Sequence, residues 1–141
     1  MSRRPISLNP FELIARKQRL GDEEAGRLTL PFLIYLDAAK RGQGIIVAEN
    51  GLAKWIAIAQ IIGSAISHRP LYNFACDAGK ALYRAAGRQE SMLTLTTGEY
   101  IAMRKLMVMY LRILPEIEVQ TMVGACVRAH ELIEQMEREA A

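Results

Sequence analysis

The stretch most suggestive of chemistry is DAAKRGQG, residues 37–44, where two cations precede two glycines set one residue apart. A grip on phosphate needs several backbone N–H groups converging at the N-terminus of a helix. Here the glycines follow an apolar, helical-looking run, so the nearest helix end presents carbonyls, the wrong polarity for an anion. Lys40 and Arg41 suit the negative end of that helix, and Gly42 suits the left-handed position just beyond it. The stretch reads as a helix terminus. A second run, FACDAGKA at residues 74–81, carries the Gly-Lys of a nucleotide-binding loop. It has Phe74 where that loop needs glycine and Ala81 where it needs Ser or Thr. Gly79 is expected instead to let two helices approach closely.

The thiols and imidazoles are few and scattered. Cys76 and Cys126 lie fifty residues apart in apolar helical contexts, which predicts buried free thiols rather than a disulfide. No CxxC, HExxH or i, i+4 histidine pair is present. His130 falls on the expected apolar face of the last helix, as a core histidine bonded to a neighbour. His68 stands at a helix boundary and is expected to face solvent. No Cys–His nucleophile pair is supported, the three aspartates are dispersed, and the glutamates concentrate at helix starts and on the terminal helix. The reading is a non-enzyme, with no catalytic residue, cofactor site or metal site assigned.

The cations are better placed than the acids. Residues 1–112 carry 16 Lys/Arg against 9 Asp/Glu, whereas residues 113–141 carry 2 against 6, for a net charge of +3. Lys80, Arg84 and Arg88 share one outer helix face and Arg104, Lys105 and Arg112 another; these six form the candidate interaction surface. A solvated helix face accounts for them equally well. Met103, Met107, Met109 and Met122 lie on the last two helices, where methionine suits a core or an adaptable surface for a partner chain. A protein partner is the leading expectation, and a homodimer is one way to cover an apolar helix bearing Ile56, Ile58, Ile61 and Ile62 on several sides.

The alternative is a nucleic-acid regulator using Arg84, Arg88, Arg104, Lys105 and Arg112 for phosphate contacts. A helix-turn-helix fits poorly. In one helix pair the second member is acidic and would repel phosphate. In the other the first member is too apolar to lie across a backbone.

These residues must be positioned by helices. The chain has 141 residues, 51% hydrophobic and 23% charged, the profile of a globular domain. Residues 1–8 are polar and basic and read as a flexible arm; residues 9–141 read as one helical domain. Asn9-Pro10 opens a first helix that Gly21 ends. Asp22-Glu23-Glu24 start the next, and Thr29 is expected to cap a fresh helix with Pro31 in its first turn, ending near Arg41. Asn50 is expected to cap a strongly apolar helix over 51–67, and His68-Arg69-Pro70 breaks it. Leu71 to Ala86 forms another. Thr96 and Glu99 make a capping box for a helix with Tyr100, Met103, Met107, Tyr110 and Leu114 on its inner stripe. Pro115 separates it from a last helix starting at Glu116, whose inner face is expected to hold Val119, Val123, Cys126, Val127, His130 and Ile133.

No segment shows period-two alternation and no hairpin turn joins β-rich runs. The expected fold is all-α, a compact bundle of five or six helices. The N-terminus has cations but no apolar stretch after them. The longest apolar run, Trp55–Ile66, is about half of a membrane span and is interrupted by Gln60. A cytoplasmic protein with no membrane contact is expected.

Asn9-Pro10-Phe11, Leu30-Pro31, Leu36-Asp37-Ala38 and Arg41-Gly42-Gln43-Gly44 together resemble a loose group of small helical proteins encoded on bacterial phages, prophages and plasmids. The resemblance covers about the first 55 residues. It implies a bacterial cytoplasm and an accessory role for a mobile element, such as binding a host or defence protein. The group brings no catalytic residues with it.

Overall fold

The computed structural model describes residues 18–44, 46–88 and 92–140. These form five α-helices: α1 (Gly21–Lys40), α2 (Ile46–Ala65), α3 (Arg69–Gly87), α4 (Thr97–Ile113) and α5 (Val119–Ala140), with a 3₁₀ turn, Leu114–Glu116, before α5. No strand occurs among the described residues, so the all-α expectation holds. The flexible arm and most of the helix expected from Asn9-Pro10 lie outside the described residues. That helix does not run to Leu20: Arg19 forms an isolated antiparallel bridge with Glu118. Gly21, with φ +78°, opens α1 rather than closing a helix before it.

The central element is α2, which packs against α1, α3 and α5. Leu52, Ile56, Ile58, Ala59 and Ile62 are all buried, on more than one side of the helix. By length and composition α2 could cross a membrane, a reading the run Trp55–Ile66 understates because the helix starts nine residues earlier, at Ile46. Here 44% of its most apolar window is buried against the neighbouring helices. Its partner α3 presents Ala75, Ala78, Ala81 and Ala85, all buried, and such small side chains let two backbones come close. The two backbones nearly touch at Gly63, where a Cβ would stand 2.8 Å from the backbone nitrogen of Tyr72. Gly79 does not have the expected role: a Cβ there would meet only Ile56, at an ordinary 3.6 Å.

Local signals explain most helix ends. Residues 37–44 are the terminus of α1. The Gly42 N–H donates to the Ala39 carbonyl and the Gln43 N–H to that of Ala38, with Gly42 at φ +72°. Both cations are engaged nearby, Arg41 with Asp37 at 3.2 Å and Lys40 over the Tyr100 ring at 4.6 Å. Gly44 lies against Leu93 so closely that a Cβ would fall 2.6 Å from the Leu93 carbonyl oxygen. At the far end of α2, Ser67 takes the left-handed conformation, φ 56°. His68 then caps α3, its Nδ1 accepting from the Leu71 N–H at 3.1 Å; it is half-buried rather than turned to solvent.

Three expected boundaries are corrected. Thr29 caps nothing: α1 runs unbroken through Pro31, and the buried Thr29 hydroxyl donates back to the Ala25 carbonyl at 2.9 Å. Proline inside a helix costs about 3 kcal/mol; Phe32 and Leu36, both buried beside it, anchor the helix in the core. Asn50 is interior to α2, because the β-branched pair Ile46 and Val47 forms an exposed first turn. Glu116 closes the 3₁₀ turn instead of opening α5, and pairs with Arg19.

Candidate functional site

α4 has two faces. Its start is held by the expected capping box: the Thr96 hydroxyl accepts from the Glu99 N–H at 3.2 Å, and Glu99 accepts from the Thr96 N–H at 3.0 Å. Inward it buries Met103, Leu106 and Tyr110. The Tyr110 hydroxyl donates to the Trp55 carbonyl, and its ring meets those of Trp55 and Phe32 edge-on. Outward, positions 101, 104, 105, 108, 111 and 112 recur at i, i+3, i+4, i+7, i+10 and i+11, one continuous stripe. Ile101, Val108 and Leu111 on it are 45%, 47% and 42% exposed.

That stripe borders a groove of about 540 Å³, in which Ile101, Val108, Met109 and Phe74 of α3 form the apolar part. Its charged lining residues, Arg104, Lys105 and Arg112, are all cations. No ion pair among the described residues uses them. An apolar floor rimmed by uncompensated cations fits an apolar segment flanked by carboxylates.

Of the six expected surface residues, three therefore converge on one groove. Lys80 and Arg84 are exposed on α3. Arg88 turns inward: its guanidinium donates two parallel hydrogen bonds of 2.7 Å to the Glu99 carboxylate and another to the Thr94 carbonyl. Glu99 is 4% exposed. The Arg88 hydrogen bonds, working against burial, hold its carboxyl at about 2, below the ordinary 4.5. Arg88 is thus a structural clasp between the end of α3 and the start of α4.

His130 is not in the core. It lies on the surface of α5 and pairs with Glu134 at 2.9 Å. The buried face of α5 is Met122, Ala125 and Ala129, so the valines expected inside, Val123 and Val127, point out at 57% and 53% exposure. Both cysteines are free and half-buried rather than fully buried. Burial pushes the Cys126 thiol up, which disfavours its nucleophilic thiolate. Among the described residues no group of three or more His, Cys, Asp or Glu gathers to hold a metal.

Sequence reasoning named the cations of the groove and, in Met109, part of its apolar lining, but missed Ile101, Val108 and Phe74. The signal was present as a second stripe on α4, at residues 101, 108 and 111, beside the buried stripe of 103, 106 and 110. No family model matches this chain, and no curated protein and no solved structure matches it.

Proposed function

We propose that this chain is a non-enzymatic helical protein that works by binding another protein, through the outer face of α4. The observation that supports this is the groove itself: exposed Ile101 and Val108 and half-buried Met109 and Phe74 beside three cations. A contiguous apolar patch with a charged rim is the usual form of a protein-docking surface. The resemblance of the N-terminal motifs suggests the setting, an accessory factor of a bacterial mobile element acting on a host or defence protein in the cytoplasm. Leu30-Pro31 lies within α1 and Arg41–Gly44 at and after its end, and none of these residues lines the α4 groove.

The test is affinity capture from the source cell with the wild-type chain and the double variant Arg104→Glu, Lys105→Glu. A partner held by the wild type and lost by the variant is the expected result; equal capture by both overturns the assignment to α4. Duplex DNA titrated at two salt concentrations addresses the nucleic-acid alternative. Neutralising several phosphates would make affinity fall steeply as salt rises. With Arg88 committed to Glu99, that reading keeps fewer free cations than its sequence suggests, and no binding at low salt is expected.

A further inference from the structure

We propose that the occupant of the α4 groove is a second copy of this chain, whose α5 lies antiparallel along α4. The inference rests on reading α4 as a docking face, and it names the partner. It comes from matching that face with a helix face that carries exposed valines and carboxylates. The outer side of α5 is apolar in its first half, where Val123 and Val127 stand exposed one turn apart. Gly124 beside them is open, with nothing within 4 Å of where a Cβ would be. In its second half the same side turns acidic, with Glu131 and Glu134 both more than half exposed.

Along the outer side of α4, Ile101 comes first, Arg104 and Lys105 follow, then Val108 and Leu111, with Arg112 last. Laid antiparallel with Val108 opposite Val127, the helices place Arg104 opposite Glu131 and Lys105 beside His130 and Glu134. Leu111 then falls opposite Gly124, where no side chain obstructs it, and Arg112 opposite Val123, its stem free to cover that valine while its charge reaches water. One register thus pairs Val108 with Val127 and Arg104 with Glu131, while Ile101 falls opposite Glu134. A parallel alignment with Val108 opposite Val127 would pair Arg112 with Glu131 but would set Arg104 against Val123 and Lys105 against Gly124, leaving both of those cations without a carboxylate. The carboxylates already have exposed partners on their own helix, Glu131 with Arg128 at 3.6 Å and Glu134 with His130 at 2.9 Å. Such surface pairs are worth little and exchange readily for a cation across an interface.

The test is sedimentation velocity on the full chain at about 100 µM, a concentration that populates even a weak dimer, with circular dichroism to verify folding. The wild type should sediment at twice the 15.8 kDa chain mass or more. Two variants reverse one face each: Arg104→Glu with Lys105→Glu, and Glu131→Lys with Glu134→Lys. Each alone should be a monomer, since like charges then oppose one another at every contact. Mixed in equal amounts they should reassociate, because the acidic α4 of one now meets the basic α5 of the other. A monomeric wild type, association that survives either reversal, or failure of the mixture to reassociate would each overturn the proposal. Its failure is separable from failure of the docking reading. A monomeric wild type that captures a cellular partner through Arg104 and Lys105 would leave that reading in place, with a different occupant.

Discussion

Glu99 is the residue on which the most local structure converges. One carboxylate closes the capping box of α4, takes both arms of Arg88 and is almost wholly buried. Its carboxyl is held at about 2, so its contribution to stability is complete above the unfolded value near 4.5 and is lost as pH falls through about 2. Arg88→Met should cost about 2 kcal/mol at neutral pH, because a buried carboxylate loses its charge partner while keeping only the Thr96 N–H as a donor. The variant should also show a shallower loss of stability between pH 4.5 and 2. Thermal melts across that range compare the two chains directly, and parallel pH profiles would remove Glu99 as the group responsible. Half of this arrangement was legible: Thr96 and Glu99 stand three apart, a purely local pattern. The Arg88 contact was not, because an arginine among other arginines on a helix face gives no sign of turning inward.

At the scale of the helix, small residues decide the packing. Gly63 of α2 faces the backbone of Tyr72 with no room for a methyl group, whereas Gly79 of α3 has an ordinary contact distance to spare. The two alanine substitutions should therefore move stability in opposite directions. Gly63→Ala has to push a backbone aside and should lose about 2 kcal/mol or more. Gly79→Ala adds helix propensity at a site that accepts it and should gain about 0.5–1 kcal/mol. Denaturant midpoints at unchanged slope are the measurement, and equal effects would refute the contrast. The same physics explains why the face of α5 was misread. Periodicity in the larger apolar side chains picked Val123, Val127 and His130, but Met122, Ala125 and Ala129 are the ones inside. Where α5 runs beside α2 the core takes alanines, and an alanine carries little hydrophobic signal of its own. Residues 37–44 were legible as a helix end because cations, glycine and the turn all lie within one short stretch. Pro31 was misjudged because its cost is local, whereas the burial of Phe32 and Leu36 that outweighs it comes from other helices.

For the molecule as a whole, helix count and class followed from patterns within single segments, but the groove did not. Exposure of Ile101, Val108 and Leu111 depends on no other element being laid over them, a property of the assembled bundle and not of α4. The bundle is also stitched where its connections meet. The Leu20 N–H donates to the Ile117 carbonyl at 2.9 Å and the Val119 N–H to that of Gln18 at 2.8 Å. The segment entering α1 is thereby fastened to the one entering α5, almost a hundred residues later. Closing so long a loop has a large entropic cost before any contact offsets it. The fastening should consequently form late in folding, after α2, α3 and α4 have condensed. In pulse-labelled hydrogen exchange, the amides of Leu20 and Val119 should gain protection together and after those of Ile58 and Leu106. Protection of Leu20 at the earliest times would mean that the nucleus begins at the N-terminal end instead. A chain that makes this tie last remains openable at one point, between α1 and α5, long after its centre is set.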